Sequence, residues 1–168
     1  MTLIPRFNVT LLFLILWWPP ALACSPPDPE SKPVVRLAAG ELRQLAVVAW
    51  AEARGDGYCA MQAVAAVILN RVQANPKLYG ATITQVIHKP FAFSVFGRRD
   101  PNRVKMAKAD ESDPSFISAM LAAIAALGGS DPTAGATHFA VAGSRPAWAT
   151  RMVLTARIGA HLYYQSAE

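Results

Sequence analysis

The chain has 168 residues, which fits one domain and leaves no room for a second independent core. With 53% hydrophobic and 16% charged residues it is too apolar for a disordered protein, whose composition cannot bury enough surface to offset the entropy of ordering. Sixteen basic against 11 acidic residues give a formal charge of +5, suited to an anionic target. Nucleic acid is disfavoured as that target, because no stacking-aromatic motif or zinc-ligand spacing accompanies the charges.

Residues 1–23 read as a secretion signal, with Arg6 in the basic region, an apolar run from Leu11 to Trp18, and Ala21-Leu22-Ala23 as an A-x-A cleavage site. The run is too short to cross about 30 Å of hydrocarbon, which needs roughly 20 residues, so no membrane span is expected after cleavage. Cleavage removes Arg6 and no acid, leaving 15 basic and 11 acidic residues, a formal +4, and points to the periplasm or cell envelope. It also exposes Cys24, where a lipid anchor is an alternative, although Leu22 stands two rather than three residues before it. In an oxidising compartment Cys24 can pair with Cys59; an inert buried thiol at Cys59 is the other reading. Residues 24–36 form a Pro-rich linker, and 37–168 the folded domain.

Between about Ala39 and Arg54, Leu42, Leu45, Val48, Ala49 and Glu52 recur at spacings of three and four, which predicts a helix that Gly55 and Gly57 stop. A second helix is predicted from about Cys59 to Ala74, ended by Asn75-Pro76 and forming a hairpin with the first. Thr82 to His88 reads as a short helix capped by Thr82. Phe91 to Phe96 (FAFSVF) has strand-like content, and Gly97 to Asp110 reads as a loop that could wall a cleft. Asp113-Pro114 starts a further helix through to Gly128-Gly129, expected to be central and buried. Then ATHFAV, RMVLTARI and AHLYYQ predict a small antiparallel sheet.

Glu52 falls on the apolar stripe of its own helix with no Lys or Arg three or four residues away. An unpaired carboxyl at an apolar surface has its charged form disfavoured, so its pKa rises toward what a general acid needs. The alternative is a carboxylate solvated past the helix end, or paired with a distant arginine such as Arg71. Gly135 to Phe139 (GATHF) offers a hydroxyl, an imidazole and a ring, a mix suited to carbohydrate, while a lone His138 can equally be structural. His88, His138 and His161 lack paired ligand spacing, so neither a metal nor another cofactor is expected, and no peptidase motif is present.

WAEARGDGYCAMQAVAAVILNRV, then AFS at 92–94, DPTAGATHF at 131–139, PAWA at 146–149 and IGAHLYYQ at 158–165, together resemble the cell wall hydrolase family typified by spore cortex-lytic enzymes, from about Gln44 to Gln165. The resemblance implies an α+β, mainly helical, lysozyme-like domain of two unequal lobes with a small antiparallel sheet near the C-terminus. It implies lytic transglycosylase activity on peptidoglycan, between N-acetylmuramic acid and N-acetylglucosamine, with Glu52 as the catalyst. Thr137, His138, Phe139, Phe93, Ser94 and Tyr163 are carried over as substrate-positioning residues, and Asn70 as a support for Glu52 across the hairpin. Asp56 stands where the family usually has Glu, and capping the following helix is its other role. Asp56 and Asp131 are the second carboxylates a hydrolase would draw on, and Asp131 also suits a turn. Trp148 is either a sugar platform or a core anchor. The competing functions are a muramidase using water and a non-catalytic peptidoglycan-binding module; a monomer is expected.

Overall fold

The computed structural model describes residues 37–166 except Ala39, Arg98 and Arg145. The secretion signal, the linker and Cys24, with its lipid-anchor and pairing expectations, lie outside the described residues. Cys59 is disulfide-bonded rather than an inert thiol.

Among the described residues six α-helices precede a three-stranded sheet: α1 Glu41–Ala53, α2 Tyr58–Ala74, α3 Pro76–Tyr79, α4 Ile83–Ile87, α5 Asn102–Ala107 and α6 Pro114–Leu127, then β1 His138–Val141, β2 Met152–Ile158 and β3 His161–Ser166. The strands are antiparallel in the order β1-β3-β2, with Phe139 opposite Tyr163. The expected mainly helical α+β domain with a small antiparallel sheet near the C-terminus is therefore the observed one. Among the described residues no helix is long and apolar enough to cross a membrane.

The predicted hairpin forms because both helices carry small or apolar residues on their shared faces: Leu45, Val48 and Ala49 of α1 and Met61, Val64 and Ile68 of α2 are all buried. The α6 helix closes the core with Phe116, Ala119, Ala122 and Ala123. Its expected cap is present, with the Asp113 side chain accepting from Ser115 N and proline in the first turn. The Trp50 indole donates to Ser115 Oγ (2.7 Å) and Asp113 Oδ2 (3.2 Å), tying the end of α1 to the start of α6. At the other end Glu41 accepts from Thr84 N (2.9 Å) and Ala38 N (3.0 Å), fixing α4. A second buried cluster, Ala63, Val67, Ala136 and Tyr163, joins α2 to the sheet.

Four expectations need correction. Phe91 to Phe96 is not a strand: Phe91 has φ 64, Ala92 N bonds back to Lys89 O, and Ser94–Phe96 is a 3₁₀ turn. Alternating aromatic and β-branched residues are here a packing pattern, with Phe93 and Val95 buried beside α1 and α2. Gly97 to Asp110 is not all loop, since it contains α5, whose start is fixed by Asp100 Oδ1 accepting from Asn102 N (2.7 Å). The α6 helix is not buried all round, because its alanine-rich face packs inward while Ile117, Leu121 and Ile124 are exposed. Asp56 does not cap α2, whose N-cap is Gly57 without a side-chain bond.

Candidate active site

Glu52 sits in the last turn of α1, half-buried, with Oε1 sealed from solvent and without a hydrogen-bond partner. Burial pushes its carboxyl up, and the nearby negative charge of Asp100 adds to this. Hydrogen bonds from Val95 N–H and the Ser94 hydroxyl oppose the rise without cancelling it. The pairing with Arg71 that would have made Glu52 structural is absent: the Arg71 Nε donates to Thr137 O (2.7 Å) and its guanidinium lies over Phe93. Neighbouring Arg54 is turned outward, stacked over Trp50 and bonded to Asn102 Oδ1.

The turn that fails to be a strand is what brings Ser94 and Val95 to Glu52. It also lines a cavity of about 530 Å³ with Phe91, Phe93, Ser94 and Phe96. Phe93 packs against Phe139 of β1 at 6.4 Å between ring centroids, so the turn and the sheet meet. On the opposite face of β1, His138 lies 6.1 Å from Tyr79 and 5.2 Å from Trp148, and Trp148 stands edge-on to Tyr164. Trp148 is thus half-buried in a ring cluster, neither fully in the core nor a free platform. Burial and the positive charge of Arg71 push the His138 imidazole down, keeping it neutral, and its Nδ1 shares a 3.0 Å hydrogen bond with Thr137 Oγ1.

The remaining candidates are placed differently. Asn70 does not support Glu52 across the hairpin; its amide donates to Asp131 Oδ2 and Ala136 O, both at 3.0 Å. Asp131 accepts from Thr133 N, Thr133 Oγ1 and Gly135 N as well, so it organises the loop that carries Thr137. Burial raises the Asp131 carboxyl, and these donors more than offset that, leaving it below its ordinary range. Asp56 turns to the sheet, accepting from Ala160 N (3.0 Å) with His161 Nδ1 at 3.4 Å. Tyr163 is fully buried behind Phe139 with its hydroxyl unpartnered, and burial, then the Asp56 charge, raises its phenol beyond the ordinary range. Asp100 had no role in the sequence reading, and Arg71 entered it only as a possible structural partner of Glu52; the charged segment 98–110 was the only signal for the first, and nothing local marks the second as a site residue.

In this helical domain Glu52, a half-buried carboxyl at the end of α1, thus meets the turn that lines a ring-walled cavity and packs against the small sheet. The chain belongs to the cell wall hydrolase family, whose model matches residues 55–164. That stretch starts just after Glu52. A spore cortex-lytic enzyme of Halalkalibacterium halodurans is 32% identical over 124 residues, 73% of this chain and 34% of the relative, so the chain spans about a third of that protein. In three dimensions the chain is similar to the catalytic domain of the Bacillus cereus SleB protein, with a TM-score of 0.62 and 25% identity over 81% of this chain and 99% of that one. It is similar too to the catalytic domain of the germination-specific lytic transglycosylase SleB from Bacillus anthracis, with a TM-score of 0.61 and 26% identity over 77% and 97%.

Proposed function

We propose that this chain cleaves the glycan strand of peptidoglycan between N-acetylmuramic acid and N-acetylglucosamine by lytic transglycosylation, with Glu52 as general acid and base. The observation that carries the reading is the state of Glu52, a half-buried carboxyl pushed up by burial, with one oxygen sealed and unpartnered. A carboxyl that keeps its proton toward neutral pH can donate it to the glycosidic oxygen as the bond to the anomeric carbon breaks. The carboxylate left behind, stabilised by Ser94 and Val95 N–H, then takes the proton of the muramoyl 6-hydroxyl while that oxygen closes on the anomeric carbon. No water is consumed, and Glu52 ends protonated. The products are a 1,6-anhydromuramoyl end and a free 4-hydroxyl on N-acetylglucosamine.

This sequence of steps needs one carboxylate, and Asp56 and Asp131 are both engaged away from Glu52. In the same reading Phe93, Ser94, His138 and Phe139 line the substrate path, while Thr137, Tyr163 and Asn70 hold it in place. The protein is exported to the periplasm or cell envelope by residues 1–23, joined through 24–36 to a catalytic domain of 37–168, and acts as a monomer. A second reading has one observation in its favour: the charge of Asp100 is felt at Glu52, so Asp100 could position a water for hydrolysis of the same bond.

Mass spectrometry of fragments released from purified peptidoglycan tests this. Anhydro-muramoyl ends are expected from the wild type, falling by about 10²- to 10⁴-fold in Glu52→Gln, the usual worth of a positioned proton donor. Reducing ends that disappear in Asp100→Asn would mean hydrolysis. Binding without any release by the wild type would mean a non-catalytic module.

A further inference from the structure

We infer that Arg71 is an anion-recognition residue of this site and takes a substrate carboxylate, so that carboxylate-bearing peptidoglycan is preferred over neutralised peptidoglycan. The inference rests on the peptidoglycan reading above. Arg71 lies near the end of α2, only 8% exposed; burial pushes its pKa down, and the nearby Tyr79 phenol opposes this without cancelling it. A buried cation normally has a paired anion, because a charge removed from water without one is costly. Among the described residues no carboxylate fills that place. Asp131, on the loop that supplies Thr137, gives its oxygens to Thr133, Gly135 and Asn70.

The guanidinium is nevertheless held in a fixed pose. Nε donates to Thr137 O at 2.7 Å, and the plane is flanked by Phe93 at 5.2 Å and Tyr79 at 5.8 Å. With Nε alone engaged, the two terminal nitrogens have no acceptor among the described residues. They form the planar fork that matches a carboxylate through two parallel hydrogen bonds, and stacking fixes it before the anion arrives. The place is continuous with the reacting centre: Phe93 precedes Ser94, whose hydroxyl bonds Glu52, and His138 feels the Arg71 charge. Peptidoglycan offers carboxylates from two sources, the peptide stem and, where the stem has been removed, the lactyl group of muramic acid.

The experiment measures kcat/KM of the full chain on untreated, carbodiimide-amidated and amidase-stripped peptidoglycan, for the wild type, Arg71→Gln and Arg71→Lys. Lys77→Gln, which removes an equal charge from an exposed position, controls for bulk attraction. The wild type is expected to favour untreated over amidated material by about tenfold or more, the worth of a charge-assisted fork. In Arg71→Gln that ratio falls toward one, Arg71→Lys recovers part of it, and Lys77→Gln keeps it. On stripped strands, whose only carboxylate is lactyl, a rate matching untreated material shows that the lactyl group can take the place of the stem carboxylate, and a rate matching amidated material assigns recognition to the stem. A wild-type ratio near one, or an equal loss on every substrate in Arg71→Gln, overturns the inference and leaves Arg71 a packing residue. Co-sedimentation of the same proteins with untreated and amidated material reads recognition without turnover, so a failure of glycan cleavage is told apart from a failure of carboxylate recognition.

Discussion

At the scale of single residues, Glu52 combines two properties that oppose each other: it is held where its charged form is disfavoured, and its proton is what the proposed chemistry uses. Its pKa in the folded chain is raised above the ordinary 4.5, burial being the largest cause. The folded state therefore holds the proton at pH values where the unfolded state has released it, so stability falls as pH rises through the interval between the two values. Glu52→Gln keeps a carbonyl to accept from Val95 N–H and Ser94 and removes the ionisation. Its stability advantage over the wild type is expected to be small near pH 4 and to grow toward pH 7, as read by thermal melts across that range. A variant less stable than the wild type at every pH would mean that the carboxylate is not held at a cost. This much was legible from sequence, because Glu52 shares a stripe with Leu45 and Val48 and has no cation at helical spacing. Asp100 and Arg71 were not, because what matters about each is a neighbour distant in sequence: Glu52 for Asp100, and Phe93 and Thr137 for Arg71.

At the scale of elements, helices were read well where periodicity agrees with a cap, as in α6, or with a terminating proline, as in α2, and the sheet where glycines separate β-prone runs. FAFSVF was misread because propensity describes a half-buried pleated surface, and this segment meets such a surface without a partner strand. Asp56 was assigned a cap because its sequence context supports one; the docking of the β2–β3 turn, a long-range event, claims it instead. That docking makes a test. Gly159, in the turn, has φ +57, and a Cβ there would stand 2.6 Å from Asp56 Cβ. Gly143 also has positive φ, +95, but a Cβ there meets nothing within 4 Å. Gly143→Ala should cost roughly the 1–2 kcal/mol of placing a β-carbon in a left-handed conformation. Gly159→Ala should cost about 1 kcal/mol or more beyond that, because displacing Asp56 also breaks its bond from Ala160 N. Equal melting-point losses in the two variants would show that Asp56 does not anchor the turn.

At the scale of the whole molecule, net charge acts over distances that no single contact does. The formal +5 is unevenly spread: Arg99, Arg103, Lys105 and Lys108 are all exposed on and around α5. That segment follows directly on the turn that holds Ser94 and Val95 against Glu52, and Asp100 lies within it. Segment 97–110 was read from sequence as a possible cleft wall; its helical core now gives those charges a fixed base near the Glu52 carboxyl. A basic shelf there would draw an anionic polymer toward the site and contribute to capture more than to the chemical step. Attraction of this kind is screened over about 10 Å at 0.1 M salt and about 3 Å at 1 M, whereas a stacked, largely buried contact such as that of Arg71 is screened much less. Co-sedimentation of Glu52→Gln with peptidoglycan should therefore weaken steadily between about 0.1 M and about 1 M salt. Adding Lys105→Glu and Lys108→Glu should flatten that dependence and lower capture at low salt, while leaving the residual binding at high salt in place. Salt sensitivity unchanged by the double substitution would move the attraction to the scattered remainder of the basic residues and leave α5 as a wall without an electrostatic part.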